Sequence, residues 1–434
     1  MYNFIDLFAG CGGLSEGFHR TPKYRSIAAV EWEKQPVDNL IHRLETKWGD
    51  LNASEKVLQF DIQRINELFN GWHDDPKYGS HQGLDSLVGS KSIDLIIGGP
   101  PCQAYSLAGR VQDKDGMKND YRNYLFESYI KVVDQYKPKI FVFENVVGLL
   151  SAKPRDTLVV DLIREEFDKH GYAIISDLKE HALLDLSTFG VPQKRKRVII
   201  IGVRKDLCSE PEALLEHFYT RILPKYQEPV RTVEHAISDL PKLYPTDDYR
   251  IDGKKFSHTQ PNISVNNHQP RYHNSKDIET FGFLADDIQS GRKEYISTDS
   301  LRQLYTEKTG KNSSVHKYYV LRRDEPSNTI PAHLYKDGLR HIHPDPQQAR
   351  SITVREAARL QTFDDDYEFI TAAGLNYKMI GNAVPPLFAY KLAKALTELL
   401  KELDKEINNK LNKELDNEID NEMDIELDGQ SEYS

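Results

Sequence analysis

The alternation of the first half of this chain constrains its fold more than any other feature. From Met1 to about Arg204, short runs rich in β-forming residues are separated by amphipathic stretches. The runs are Phe4–Phe8, Ser26–Val30, Ile93–Ile97, Ile140–Phe143, Tyr172–Leu178 and Val198–Val203, and helical patterns lie at Leu14–His19, Tyr121–Tyr136 and Thr157–His170. Strand, helix and strand in repetition are what a parallel sheet requires, because parallel neighbours can be joined only by a crossover. The expectation is an α/β fold, doubly wound and Rossmann-like. After Arg204 the texture changes: Pro, His, Asn, Ser and Tyr are frequent and periodicity is poor to about Arg350, which predicts a second, smaller and irregular domain. Helical pattern returns at Val354–Gln361 and Leu387–Leu400, the latter after the helix-starting Pro385-Pro386.

With 434 residues, 39% of them hydrophobic, the chain can bury a core in each of two domains. No run approaches a membrane span, and Tyr2-Asn3-Phe4-Ile5-Asp6-Leu7-Phe8 opens without a charged region and apolar signal core, so the cytoplasm is the expected site of action. The three cysteines, Cys11, Cys102 and Cys208, are odd in number and widely spaced, which supports neither a disulfide framework nor a metal site but leaves room for a nucleophile. A net charge of -10 argues against binding a polyanion, yet most of the negative charge sits beyond Lys401. In that tail Leu403, Ile407, Leu411, Leu415, Ile419, Met423 and Leu427 recur every fourth position, so the apolar stripe drifts around a helix and no face stays apolar. The pattern predicts a helix fraying into an acidic, low-complexity tail over 401–434.

The first run leads into Ala9-Gly10-Cys11-Gly12-Gly13-Leu14-Ser15-Glu16-Gly17, glycines that let backbone turn sharply and approach a ligand at a helix N-terminus. About twenty residues on, Glu31 ends the next strand, where a dinucleotide fold places a carboxylate on ribose hydroxyls. Trp32 offers an indole for an adenine face, and Asp61, followed by Ile62, an acceptor for the adenine amino group. This package fits NAD, FAD or S-adenosylmethionine equally.

The Ile93–Ile97 run ends in Gly98-Gly99-Pro100-Pro101-Cys102-Gln103-Ala104-Tyr105-Ser106, a rigid turn beyond a strand's carboxyl end, where open α/β sheets place their ligands. Cys102 is displayed there, between Pro-Pro and Gln, instead of being packed as a small hydrophobe. The Ile140–Phe143 run ends in Glu144-Asn145-Val146, which puts an acid beside the same crevice, usable as a proton donor where desolvation raises its pKa. Gln193-Lys194-Arg195-Lys196-Arg197 precedes another strand, and alternation would aim Gln193, Arg195 and Arg197 together at one place.

Taken together, these residues resemble the DNA (cytosine-5) methyltransferases, particularly the modification enzymes of bacterial restriction systems. The resemblance runs, in order, through Asp6-Leu7-Phe8-Ala9-Gly10, Gly99-Pro100-Pro101-Cys102-Gln103, Glu144-Asn145-Val146, Gln193-x-Arg195-x-Arg197, Arg355-Glu356-x-x-Arg359-Leu360-Gln361-x-Phe363 and Gly381-Asn382-Ala383-Val384-Pro385-Pro386. It covers nearly everything except the middle domain and the tail, with Tyr105 standing where the family more often has Phe. The resemblance implies a catalytic and cofactor-binding domain over 1–204, a target-recognition domain over 205–350 and a return segment over 351–400 that completes the first. It implies S-adenosylmethionine as cofactor, held by Phe8, Gly10, Gly12, Glu31, Trp32, Asp61, Ile62, Pro100, Leu125 and Asn382. It implies Cys102 as the nucleophile on carbon 6 of a flipped cytosine, with Glu144 at N3, Arg197 at O2 or the sulfur, and Arg195 beside them. The stretch Ser106–Asp120 resembles the family's closing loop.

The expected partner is double-stranded DNA, with a cognate restriction endonuclease acting separately and the enzyme itself a monomer. Between Lys205 and Arg350 the resemblance fades, and Arg271, Lys308, Lys311, Asn312, His316, Lys317, Arg322 and Arg323 are candidates to read base edges or hold phosphates. Three other readings compete. A nicotinamide oxidoreductase shares the Gly-rich loop but leaves Pro-Pro-Cys-Gln unexplained; a non-catalytic relative is opposed by intact Cys102, Glu144 and Arg197; a methyltransferase of RNA is disfavoured by the sizeable middle domain.

Overall fold

In the computed structural model the described residues are 1–101, 125–153, 158–312, 317–336 and 338–431, with side chains of the last helix described to Lys413. The strands are β1 (Tyr2–Leu7), β2 (Tyr24–Glu31), β3 (Val57–Gln59), β4 (Trp72–Asp75), β5 (Gly79–His81), β6 (Leu95–Gly98), β7 (Ile140–Val146), β8 (Tyr172–Ile174), β9 (Leu183–Asp185), β10 (Lys196–Arg204) and, paired with each other in the middle of the chain, β11 (Pro245–Ile251) and β12 (Lys254–His258). One eight-stranded sheet has the order β3-β2-β1-β6-β7-β10-β8, with β9 also on β10, while β4 and β5 form a separate hairpin. Pairing is parallel from β3 to β7 and antiparallel at β10. Chain order reverses between β1 and β6: the sheet grows to one side through β2 and β3, then to the other through β6 and β7. A crevice at the carboxyl ends of the strands follows from that reversal. It falls between the loop after β1 and the turn after β6.

The central strands are apolar on both faces because helices cover both faces of a parallel sheet. Phe4, Ile5, Leu95, Ile96, Ile97, Ile140, Phe141 and Val142 are wholly buried, each contributing about 1.5–3 kcal/mol relative to exposure. The helices Gly13–His19, Leu125–Tyr136 and Val159–Lys169 confirm the expected helical stretches as far as the described residues reach. The expected strand Tyr172–Leu178 is shorter, ending at Ile174 before a helical turn at Leu178–Ala182.

Packing also carries the first body past residue 204. Leu214, Leu215, Phe218, Tyr219, Ile222 and Leu223, on short helices between Pro211 and Tyr226, join the core under the sheet. A second core gathers Val233, Ile237 and Leu321 with Val354, Leu360, Phe363 and Ile380, and a third lies between the helices Ser275–Gln289 and Thr298–Thr309 and Tyr318, Val320 and Ile342. The last helix runs unbroken from Pro386 to Ser431 instead of fraying after Leu400. Leu399, Leu400 and Leu403 are buried under the first core and Ile407 packs at its edge. Beyond them the helix continues to Ser431 through a sequence in which Glu, Asp and Asn alternate with single apolar residues.

Candidate active site

The loop after β1 is bent by left-handed backbone at Phe8 (φ 57°), Gly10 (φ 55°) and Gly12 (φ 83°). Such a conformation at a bulky residue like Phe8 is uncommon and clusters at functional sites. A Cβ on Gly10 would meet no atom within 4 Å, so the backbone there faces open space. The Glu31 carboxylate ties this loop to the end of β2. Its Oε2 accepts from Gly10 N–H at 2.9 Å, and its Oε1 accepts from the N–H groups of Trp32 and Glu33, both at 2.8 Å. Burial raises the Glu31 pKa against those donors. Trp32 beside it is 43% exposed. At the end of β3, Asp61 is half-buried, with Oδ1 accepting from Gln63 N–H at 3.0 Å, and Ile62 is buried. Asp6, on β1, is buried with Oδ2 lacking any hydrogen-bond partner, and burial pushes its pKa to about 8.

Across the crevice, Pro100 is buried and its carbonyl accepts from Asn145 Nδ2 at 3.2 Å. Asn145, itself buried, thus tethers the turn that leads to Cys102. That role was not visible in the sequence, where Asn145 stood only as part of a motif. Leu125 is buried at the start of its helix, and Asn382 is exposed at the end of the helix Ala373–Asn382.

On β7, Glu144 Oε1 lies 2.8 Å from Arg197 Nε of β10, and each side chain is 13% exposed. In the register Ile199 stands opposite Glu144 and Arg197 opposite Val146, so the pair is a diagonal cross-strand contact. The other Glu144 oxygen would lie 2.6 Å from a Cβ at position 99, so a side chain there would push the carboxylate out of its place beside the turn. Beside the pair opens a groove of about 370 Å³ lined by Val146, Val147, Asp185, Lys194, Lys196, Arg197 and Thr329.

Gln193 and Arg195 meet, Arg195 Nη1 donating to Gln193 Oε1 at 3.4 Å and both binding the Ile330 backbone, whereas Arg197 pairs with Glu144. Arg195 is wholly buried and donates to the carbonyls of Ile330 at 3.2 Å, Gly381 at 3.1 Å and Ala383 at 2.9 Å. Gln193 donates to Gln361 and to the Leu360 carbonyl. β10 begins at Lys196 and Gln193 is bridged to Ser327, so Gln193 and Arg195 are packed into the body while Arg197 lines the groove.

Two of the three cysteines sit where burial disfavours the thiolate. Burial pushes the Cys11 thiol up to about 12 and the Cys208 thiol to about 11, which leaves little thiolate near neutral pH. Cys102 and the loop Ser106–Asp120 lie outside the described residues, as does His316. Several recognition candidates hold the protein together: Arg271 donates to the carbonyls of Leu334 and Tyr335 and stacks on Tyr377, Lys308 lies 3.2 Å from Glu279, and Arg323 lies 3.0 Å from Glu234. Among the described residues no helix is long and apolar enough to cross a membrane.

Comparison with known proteins agrees with this geometry. Residues 2–398 match the family model for C-5 cytosine-specific DNA methylases. The chain is 35% identical to the type II methyltransferase M.Bpa9945I of Bacillus paralicheniformis, over 91% of this chain and 98% of that one. It is 30% identical to M.DdeI of Desulfomicrobium norvegicum, over 91% and 88%. Among solved structures, a prophage-encoded chain from E. coli described as a DNA modification methyltransferase superposes with a TM-score of 0.57 at 23% identity, over 92% of this chain and all of that one. S. pombe Dnmt2 does so with 0.52 at 14%, over 93% and 100%, and at such identities the likeness speaks for the fold alone. A match across nearly the whole chain sets aside the nicotinamide reading, and the chain belongs to the C-5 cytosine-specific DNA methylases.

Proposed function

We propose that this methyltransferase uses S-adenosylmethionine to methylate carbon 5 of a cytosine turned out of a specific duplex sequence, with Cys102 as nucleophile. The observation that carries the reading is the Glu144–Arg197 pair, set against the Gly99-Pro100-Pro101 turn that leads directly to Cys102. The residues fit the cofactor: open space over Gly10, a Glu31 carboxylate with acceptor capacity left for ribose hydroxyls, an exposed Trp32, a half-buried Asp61 and the unpartnered Asp6 oxygen beside Ser15. Phe8, Gly12, Ile62, Pro100, Leu125 and Asn382 complete that set. Bound there, the cofactor supplies an electrophilic methyl group on a sulfonium.

The chain's own residues do the rest. The Cys102 thiolate adds to carbon 6 and turns carbon 5 into an enamine nucleophile. Glu144 donates a proton to N3 as the adduct forms, so that negative charge does not build up on the ring, and Arg197 serves O2 while keeping Glu144 in place. Once carbon 5 has taken up the methyl group, the donor leaving as a thioether, loss of the carbon 5 proton to a base or water expels the Cys102 thiolate and restores the ring. Arg195 acts at one remove, fixing the segments around Ile330 and Gly381. A recognition unit within 205–350 reads the duplex, and base flipping costs a few kcal/mol that closing contacts recover. We assign the enzyme to the cytoplasm, as a monomer paired with a separately acting restriction endonuclease. Expression in a host free of cytosine methylation, followed by bisulfite sequencing, should give 5-methylcytosine at one sequence motif; unmodified DNA from an expressed, folded enzyme would refute the reading.

A further inference from the structure

The β4–β5 hairpin contributes nothing to the main sheet, yet it is firmly built against the donor side of the crevice. Trp72 stacks on Phe60 with ring centroids 3.9 Å apart, and its indole N–H donates to the Tyr78 carbonyl at 3.2 Å. Tyr78 packs on the same Phe60 at 5.0 Å. Asp75 Oδ1 accepts from the N–H groups of Lys77 at 2.8 Å and Tyr78 at 2.9 Å, while its Oδ2 takes Arg64 Nη1 at 2.6 Å. The turn is therefore held on both sides, and it clamps Phe60, the neighbour of Asp61.

From this turn Lys77 reaches over Trp32. Its Nζ lies 5.0 Å from the indole centroid and 4.7 Å from that of Tyr78. Contact with the Tyr78 hydroxyl, with smaller help from the charges of Asp61 and Asp75, raises the Lys77 pKa and keeps the ammonium charged. An ammonium at that distance is attracted to the indole face. With Lys77 in place, Trp32 remains 43% exposed.

We propose that the hairpin is part of the cofactor site, with Lys77 pinning the Trp32 indole by a cation–π contact so that its open surface is presented to the adenine. This deepens the reading above and rests on its assignment of Trp32 to the adenine face. Lys77 is a positioning residue: it acts on the ligand through Trp32.

The test is calorimetric titration of the full-length protein with S-adenosylhomocysteine, which reads binding without turnover. Lys77→Met keeps the aliphatic stem and removes the charge, and a cation–π contact at an exposed site is worth about two- to fivefold in an equilibrium constant. Lys77→Met should weaken binding by about that factor, Lys77→Arg should restore it because a guanidinium also stacks on indole, and Trp32→Ala should weaken binding more than either. Wild-type affinity in Lys77→Met alongside a weakened Trp32→Ala would overturn the role of Lys77 alone. Tighter binding in Lys77→Met would overturn it too, showing that the ammonium competes with the adenine. Unchanged affinity in Trp32→Ala would remove the assignment of Trp32 and the inference with it.

Discussion

Glu144 and Arg197 meet at 2.8 Å across antiparallel neighbours, and each is nearly closed off from solvent. The pair joins the acid and the cation of the site in one rigid unit at the edge of the crevice. Glu144→Gln keeps the shape and removes the transferable proton, so methyl transfer should fall by at least about 100-fold while affinity for S-adenosylhomocysteine stays near wild type. Single-turnover kinetics with paired calorimetry checks this, and full turnover would take Glu144 out of the chemistry.

Arg195 is expected to behave differently from Arg197. Its guanidinium satisfies carbonyls on segments far apart in sequence, and its removal leaves Ile330, Gly381 and Ala383 short of a buried donor. Arg195→Ala should lower the unfolding free energy by about 3 kcal/mol, measured by urea denaturation. Unchanged stability with lost activity would instead place Arg195 directly in the chemistry.

Asp6 links stability to pH. Its folded-state pKa of about 8 lies above the ordinary 3.8 because burial penalises the charged form. The folded state holds this proton more tightly than the unfolded chain, so the stability it carries is complete below about pH 4 and is lost as pH rises towards about 8. Asp6→Asn mimics the protonated carboxyl and should flatten that fall, visible as the difference between the two stability profiles across the window. Parallel profiles would contradict the raised pKa.

Much of the fold was legible because the central strands are buried on both faces and read as unbroken apolar runs, and those of β1, β2, β6 and β7 lead into the residues that line the crevice. The Gly-rich loop and Glu31 were paired from spacing alone, and the Gly10 hydrogen bond to Glu31 joins them in space. The partners of Arg195 were hidden because the carbonyls of Ile330, Gly381 and Ala383 lie far along the chain and reach it only through tertiary packing. The hairpin at Trp72 was hidden for a similar reason: its strands are short and polar, and stacking on Phe60 is a tertiary contact. Drift of the apolar stripe suggested fraying past Leu400, whereas burial of Leu403 and packing of Ile407 carry the helix further along the body.

The end of the last helix is expected to be dispensable. Its packing on the body ends near Ile407, and Leu411 is exposed. Ending the chain at Lys410 should leave the melting temperature and methyl transfer close to wild type, by calorimetry and activity assay. Loss of the folded state would show that the outer turns support the core.

The central claim is that Cys102 bonds to carbon 6 of the target cytosine. Incubating the enzyme with S-adenosylmethionine and duplex DNA carrying 5-fluorocytosine at the methylated position should trap a complex that survives denaturation, because fluorine cannot leave as a proton does. Mass spectrometry of the digested complex should find the adduct on Cys102, and Cys102→Ala should yield none. An adduct on another residue, or none from an enzyme that methylates ordinary DNA, would contradict the account.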